Sequence, residues 1–236
     1  MKIEELLNSC TDDVLKEWAA NKSWQEIYNT CHRGSWLLLL FRVANPKDLQ
    51  LLTLAKGFCA NTVRHLMKDA RSILALDAAI EFGEGKITKE QLTATVSAAI
   101  FAATDAASAA KDTATISATA VNNYIKTASK DATVMTEATA VYVNAAYIHI
   151  TIAEATAIAA IAAVVTAEVT GNTAFGCDTV AYVADAYAKM EAVKGTVAAA
   201  KVSPFAAVKA ADTKSHQLVT ANIIRQYIPI DKWNVF

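Results

Sequence analysis

Between Thr88 and Thr170 the chain carries neither glycine nor proline, while alanine and threonine recur at almost every turn. Without the two residues that most readily break regular structure, such a segment must be built from long elements. Alanine falls at Ala94, Ala98, Ala102, Ala106, Ala110, Ala114 and Ala118, a helical spacing of the residue that loses no side-chain entropy in a helix. A step of four residues overshoots one turn by roughly 40°. The alanine row therefore winds around the helix and offers small side chains to neighbours on more than one side. The β-branched residues Thr113, Thr115, Ile116, Thr119 and Val121 suggest strand, but hairpins need glycine-type turns at short intervals. Between Gly85 and Gly171 the only turn-like pieces are Asn122–Asn123 and Ser129–Asp131, so helix is the expectation.

A single helix over this span would be about 120 Å long, against about 45 Å for a compact domain of this size. The segment must fold back, with one reversal expected near Ser129–Asp131, a second near Asn122, and a stop at Gly171–Asn172. Thr88 with Gln91 three residues on is a capping box that marks the start.

Upstream, the chain reads as a series of shorter helices. Ile3–Leu7 and Val14–Ala20 are the first two, with Asp12 and Asp13 at the start of the second, where negative charge complements the helix dipole. Ser23 and Glu26 form another capping box, opening a helix through Trp24, Ile27, Tyr28 and Cys31 that ends at Gly34. Trp36–Val43 is a dense apolar run, expected to be a buried helix closed at Asn45 and Pro46, with the proline beginning the next helix. That helix places Leu52, Ala55, Cys59, Val63 and Leu66 on one face and Lys47, Lys56, Asn61, Arg64 and Lys68 largely off it. Asp69 caps a further helix through Leu74, Ala78 and Phe82, stopping at Gly83 and Gly85.

Beyond Gly171 the expectation is a helix over Thr179–Lys201, then a last one opened by Ser203 and Pro204. The last helix passes through Val208, Ala211, Leu218 and Ile224 to Tyr227 and is stopped by Pro229, with an apolar tail docked on the body. The fold class is all-α: a short-helix N-terminal module, residues 1–85, packed on a bundle of long alanine-rich antiparallel helices, residues 86–236, forming one continuous unit.

At 236 residues and 54% hydrophobic content the chain can bury a substantial core. A formal net charge of −1 and no run of lysine or arginine argue against nucleic acid as the main partner. Cys10, Cys31, Cys59 and Cys177 are widely spaced with no C-x-x-C pair and read as reduced core thiols rather than a disulfide framework or zinc site. Met1–Asn8 contains Lys2, Glu4 and Glu5 and no apolar core, unlike a signal peptide. The most membrane-like run, Ala155–Ala167 between Glu154 and Glu168, is shorter than the roughly 20 residues a span requires. A cytoplasmic protein with no membrane partner is the expectation.

Catalytic signatures are missing: there is no G-x-S-x-G elbow, H-E-x-x-H, Glu-x-x-His pair, P-loop or G-x-G-x-x-G. No enzyme activity, metal or cofactor is expected. His65 and Asp69, four apart, would share a face only if their helix continued. His149 and Glu154 lie in the most apolar region and read as a hydrogen-bonded core histidine and a glutamate at an exposed turn. The threonines of the central stretch are expected to bond back to their own helix carbonyls.

The residues Cys31, His32, Arg33, Gly34, Ser35, Trp36, Leu37 and Leu38 resemble the C-x-R-G-D-W-hydrophobic signature of bacterial immunity proteins of the Imm-5-like family. Trp18 and Trp24 are similar to its tryptophan-rich lead-in. Further likeness lies in Leu54, Ala55, Cys59 and Ala60, in Asp69 and Arg71, in Ala78, Ala79 and Gly83, and in Ile224, Arg225, Ile228 and Pro229. Two positions depart: Ser35 stands where aspartate is usual, and Leu39 where a second tryptophan is common; if that aspartate pairs with the neighbouring arginine in the family, Arg33 here needs another partner.

The resemblance implies a non-catalytic cytoplasmic protein that binds a cognate protein toxin and blocks it stoichiometrically. Its motif residues, Trp24, Cys31, Arg33, Gly34, Trp36, Asp69 and Arg71, have a structural reading: Gly34 permits a turn, Trp36 buries a large surface, and Arg33 ties helix ends. Two rival functions remain. One is a protein of a phage or mobile element that sequesters a nucleotide or metabolite in a threonine- and tyrosine-lined cleft between the long helices. The other is a structural protein whose alanine-rich faces form a homo-oligomer.

Overall fold

The computed structural model describes residues 12–127, 152–167 and 213–233, together with Glu5, Leu7 and His149. Among the described residues all regular structure is helical. In chain order the helices are α1 (Asp13–Ala19), α2 (Trp24–Thr30), α3 (Gly34–Ala44), α4 (Leu49–Asn61), α5 (Ala70–Gly83), α6 (Lys89–Thr127), α7 (Ile152–Ala167) and α8 (Thr213–Tyr227). Single 3₁₀ turns lie at Arg64–Leu66 and Ile230–Lys232.

Helix starts follow local chemistry. Asp12 Oδ1 accepts the Leu15 amide at 2.9 Å, Asp48 Oδ1 that of Leu51 at 3.2 Å, and Asp69 Oδ1 that of Arg71 at 2.8 Å, each satisfying one of the amides a helix leaves unpaired. Ser23 with Glu26 and Thr88 with Gln91 form the two expected capping boxes. Gly34, however, does not end α2. That helix stops at Thr30 with Cys31 as its C-cap, and Gly34 opens α3. Pro46 likewise lies in a turn, and α4 begins two residues after Lys47, behind its cap Asp48.

α3 is buried on nearly every side: Trp36, Leu37, Leu38, Leu40 and Phe41 are at most 4% exposed. It forms one core with α1, α2, α4, the C-terminal helix α8 and Trp233. Burying each such large apolar side chain contributes about 1.5–3 kcal/mol, so α8 is a structural part of the N-terminal module. Phe58 of α4 stacks on Tyr227 of α8 at 3.9 Å between ring centroids.

α4 and α5 run antiparallel at close range. A methyl group added at Gly83 would stand 2.7 Å from Leu54 Cα. α6 returns along α5, with Phe82 beside Leu92 in one core and Arg71 bridged to Asp105 farther along. α7 seats Ala155, Ala159, Ala162 and Ala163 against Ala60, Val63, Leu66, Met67 and Leu76, so the apolar run 155–167 is packed against protein on one side. Helices from both sides of residue 85 thus share cores.

Several expectations need correction. α4 ends at Asn61, so Val63 reaches the core from the turn that follows and Leu66 from the 3₁₀ turn after it, not from the helix face. Lys56, expected off the apolar face of its helix, is 2% exposed and donates from Nζ to the Val165 carbonyl of α7 at 3.2 Å, because α7 covers that side of α4 as well. α6 passes through Asn122 and Asn123 as unbroken helix although both are exposed, since the helix already propagating through Ala114, Ala118 and Ala120 outweighs the weak local preference of asparagine. His149 is exposed, not a core residue, while Glu154 is exposed as expected. The reversals at Ser129–Asp131 and Gly171–Asn172, the 179–201 helix and the Ser203–Pro204 start lie outside the described residues, as do Cys10 and Cys177.

Over its 39 residues α6 is about 58 Å long. Its Lys89–Asn123 portion is the one described helix long and apolar enough, by length and composition alone, to cross a membrane. Asp105 within it is ion-paired to Arg71, and Lys111 and Asp112 follow, a pattern costly in hydrocarbon.

Candidate binding surface around Trp36

The segment Cys31–Arg33 joins α2 to α3 without regular structure of its own. Its shape is set by the two helix ends. Arg225, from the last turn of α8, donates from Nε to the Tyr28 carbonyl at 2.6 Å and from Nη2 to the Cys31 carbonyl. Those carbonyls belong to the open end of α2, where a cation also complements the helix dipole. In return, the Tyr28 hydroxyl donates to the Arg225 carbonyl at 3.0 Å and lies 3.3 Å from that of Ile228. Burial holds the Tyr28 phenol above its ordinary pKa. The buried Cys31 thiol is also pushed up by desolvation, and it donates to the Arg33 carbonyl at 3.3 Å.

Gly34 is required by proximity. A Cβ there would lie 2.6 Å from Thr220 Oγ1 and 2.9 Å from Ile224 Cδ1, so the start of α3 can touch α8 only without a side chain. Two residues on, Trp36 buries its ring, and its indole Nε1 donates to Asp12 Oδ2 at 2.9 Å. Asp12 therefore serves two elements, capping α1 with one oxygen and anchoring α3 with the other.

Above this anchor a cluster of indoles and cations reaches the surface. Trp18 and Trp36 meet at 5.4 Å between ring centroids. The Arg33 guanidinium lies over Trp36 at 4.5 Å, and the Lys22 ammonium over Trp18 at 4.6 Å. His32 meets Trp36 edge-on at 6.2 Å. Trp18, Lys22, His32 and Arg33 are half-buried, presenting part of each side chain outward. Cations held over indoles keep their charge while their positions become fixed.

The structure brings Cys31, Arg33, Gly34 and Trp36 together with Trp18, and separates them from Trp24, Asp69 and Arg71. Trp24 packs edge-to-face on Trp233 at 5.9 Å, inside the core. Asp69 and Arg71 belong to the α5–α6 pair, where Arg71 bridges Asp69 at 2.6 Å and Asp105 at 2.6 Å. The Arg71 guanidinium holds the Asp69 carboxyl down to about 2. Ser35, at the position where aspartate would be usual, is 1% exposed, and Arg33 lies on Trp36. Gly34 serves a close approach, not a turn. Tyr28 carried no local signal of its role and Asp12 none of its bond to Trp36, because those partners come from distant parts of the chain; the place of Asp12 at a helix start was local.

Other readings of the chain meet specific geometry. His65 lies in the 3₁₀ turn and Asp69 caps α5, so they do not share a helix face. Among the described residues no three histidine, cysteine or acidic groups are gathered as a metal site. Cys31 and Cys59 are buried thiols, neither of them in a disulfide. Thr93, Thr104, Thr113, Thr115, Thr119, Thr156 and Thr166 donate to the carbonyl four residues back. A surface depression of about 440 Å³ is lined by Asn45, Pro46, Lys47 and Asp48, at the α3–α4 turn.

Compared with family models, with curated proteins and with solved structures, the chain matches none.

Proposed function

We propose that this chain is an immunity-type binding protein that acts in the cytoplasm, without catalysis, by covering a cognate protein toxin one-to-one. The observation that supports the reading most is the cluster around Trp36. It puts tryptophan and arginine, the residues that most often dominate protein–protein binding energy, half-exposed on a rigid foundation. That foundation is built from the segment resembling the immunity signature, cross-tied by Tyr28 and Arg225. Because the side chains are held by ring contacts before any partner arrives, little rotamer entropy remains to be lost on binding.

Affinity capture tests the reading. The tagged chain is recovered from its native cells, bound proteins are identified by mass spectrometry, and bound small molecules are extracted from the same sample. A single protein recovered at one-to-one stoichiometry, toxic when expressed alone, is the expected result. Recovery of a nucleotide or metabolite with no protein partner would replace it with the sequestering function.

A further inference from the structure

We infer that the outward face of α6 pairs with the same face of a second copy of this chain, the two helices running antiparallel about a two-fold axis at Ile100 and Phe101. The inference stands apart from the reading of the Trp36 cluster, to which α6 contributes no residue. α6 has two faces. Leu92, Ala99, Ala103 and Ala110 turn inward and are buried. Opposite them Ala94, Ser97, Phe101, Thr104 and Ser108 recur in alternating steps of three and four, and all are exposed. A mean step of about 3.5 residues keeps one stripe turned toward a neighbouring helix along its whole length. Only 17% of the apolar window in Lys89–Asn123 is buried, and Phe101 is 64% and Ile100 44% exposed. Leu74 of α5, 61% exposed, stands one turn from Arg71, as Phe101 stands one turn from Asp105. The Arg71–Asp105 bridge therefore sets Leu74 level with Phe101, and the three large side chains make an apolar centre of the kind that marks an interaction surface.

The charges at either end of this stripe select the occupant. Lys89 and Glu90 precede it and Lys111 and Asp112 follow it, all exposed. Between them α6 carries one charge, Asp105, which is bridged to Arg71. An antiparallel copy centred between Ile100 and Phe101 sets Glu90 level with Lys111 of the second copy and Lys89 level with its Asp112. The same pairs recur at the other end, so the face is complementary to itself. A parallel copy would set like charge on like. Glu90 takes hydrogen bonds from its own amide and from Thr88, and a carboxylate has lone pairs left for a lysine beyond these. The small residues on either side of Phe101 let two helix axes approach to about 8–10 Å. Charges on the flanking segments do not oppose the pairing. Asp77 is held by Arg64, and Glu84 by Lys86 at 2.7 Å. Glu81, which also attracts Lys86, stands level with Ala94, opposite Ala107 of the second copy.

Sedimentation equilibrium of the full-length chain over a wide concentration range tests the pairing, with circular dichroism showing that each variant keeps its helix content. A species of twice the 25.2 kDa chain mass is expected. F101E, at an exposed position, should raise the dissociation constant about thirtyfold or more. E90K and K111E each turn two attractive pairs into repulsive ones and should raise it about tenfold. An equimolar mixture of E90K with K111E should pair as tightly as the wild type, because every lysine then meets a carboxylate; this recovery separates a contact across the axis from a general effect on the helix. A chain that stays monomeric at every concentration, a dimer indifferent to F101E, or a mixture that pairs no better than its two components would each overturn the inference. So would recruitment of the wild-type chain to phosphatidylcholine vesicles through Phe101 in place of pairing.

Discussion

Tyr28 and Arg225, separated by 197 positions in the chain, close each other's helices: the arginine donates to the Tyr28 carbonyl at 2.6 Å, and the tyrosine hydroxyl donates to the Arg225 carbonyl at 3.0 Å. The reciprocal pair ties the C-terminal helix to the segment that carries Arg33 and Gly34. Foundation and binding surface are therefore assembled from opposite ends of the sequence.

Removing either half of that pair should loosen the module unequally. Tyr28→Phe deletes neutral hydrogen bonds and is expected to cost about 1 kcal/mol, whereas Arg225→Ala removes a charged donor from two carbonyls and should cost about 2–4 kcal/mol. Urea unfolding checks this, with a lower midpoint and an unchanged slope for both.

Glycine substitutions separate two kinds of close contact. Gly34→Ala meets the side chains of Thr220 and Ile224, and Gly83→Ala meets the backbone of Leu54. Side chains can rotate away and backbone cannot, so Gly34→Ala should cost about 1–3 kcal/mol and Gly83→Ala more than that. Thermal denaturation of the two variants side by side gives the order.

Much of the fold was legible because its signals are local. Ser23 with Glu26, Thr88 with Gln91, and Asp69 at a helix start act within four residues of themselves, and all three cap as expected. The alanine spacing from Ala94 to Ala118 likewise marks α6. What depends on distant partners was not legible. Gly34 looks like a terminator until Thr220 is placed against it, and Lys56 looks solvated until α7 covers it. The surface platform was visible only in part. Arg33 and Trp36 stand in one motif, but Trp18 and Lys22 join them through the packing of α1 and α2 on α3, a tertiary fact without a sequence spacing.

Lys56 offers a test of that buried contact. Lys56→Met keeps the volume and the apolar stem while taking the donor from the Val165 carbonyl, and is expected to cost about 1–3 kcal/mol. Lys56→Ala also opens a cavity and should cost more. Chemical denaturation of both variants measures the difference.

Asp69 should titrate abnormally. Its carboxyl lies at about 2, against an ordinary value of 3.8, chiefly through its side-chain hydrogen bonds from Arg71. The folded value is the lower one, so the associated stabilisation is complete above pH 3.8 and is lost as pH falls toward 2. Carbon-detected titration of the Asp69 carboxyl should show this midpoint, and Arg71→Ala should return it toward the ordinary value.

The central claim, neutralisation of a toxin through the Trp36 surface, is tested most directly by growth. The partner recovered by capture is expressed alone, with the wild-type chain, and with a Trp18→Ala/Arg33→Ala double variant whose melting behaviour shows it folded. Growth arrest by the partner alone, relief by the wild type and failure of the double variant are the predicted results. A partner without toxicity, or equal protection by the double variant, would contradict the account.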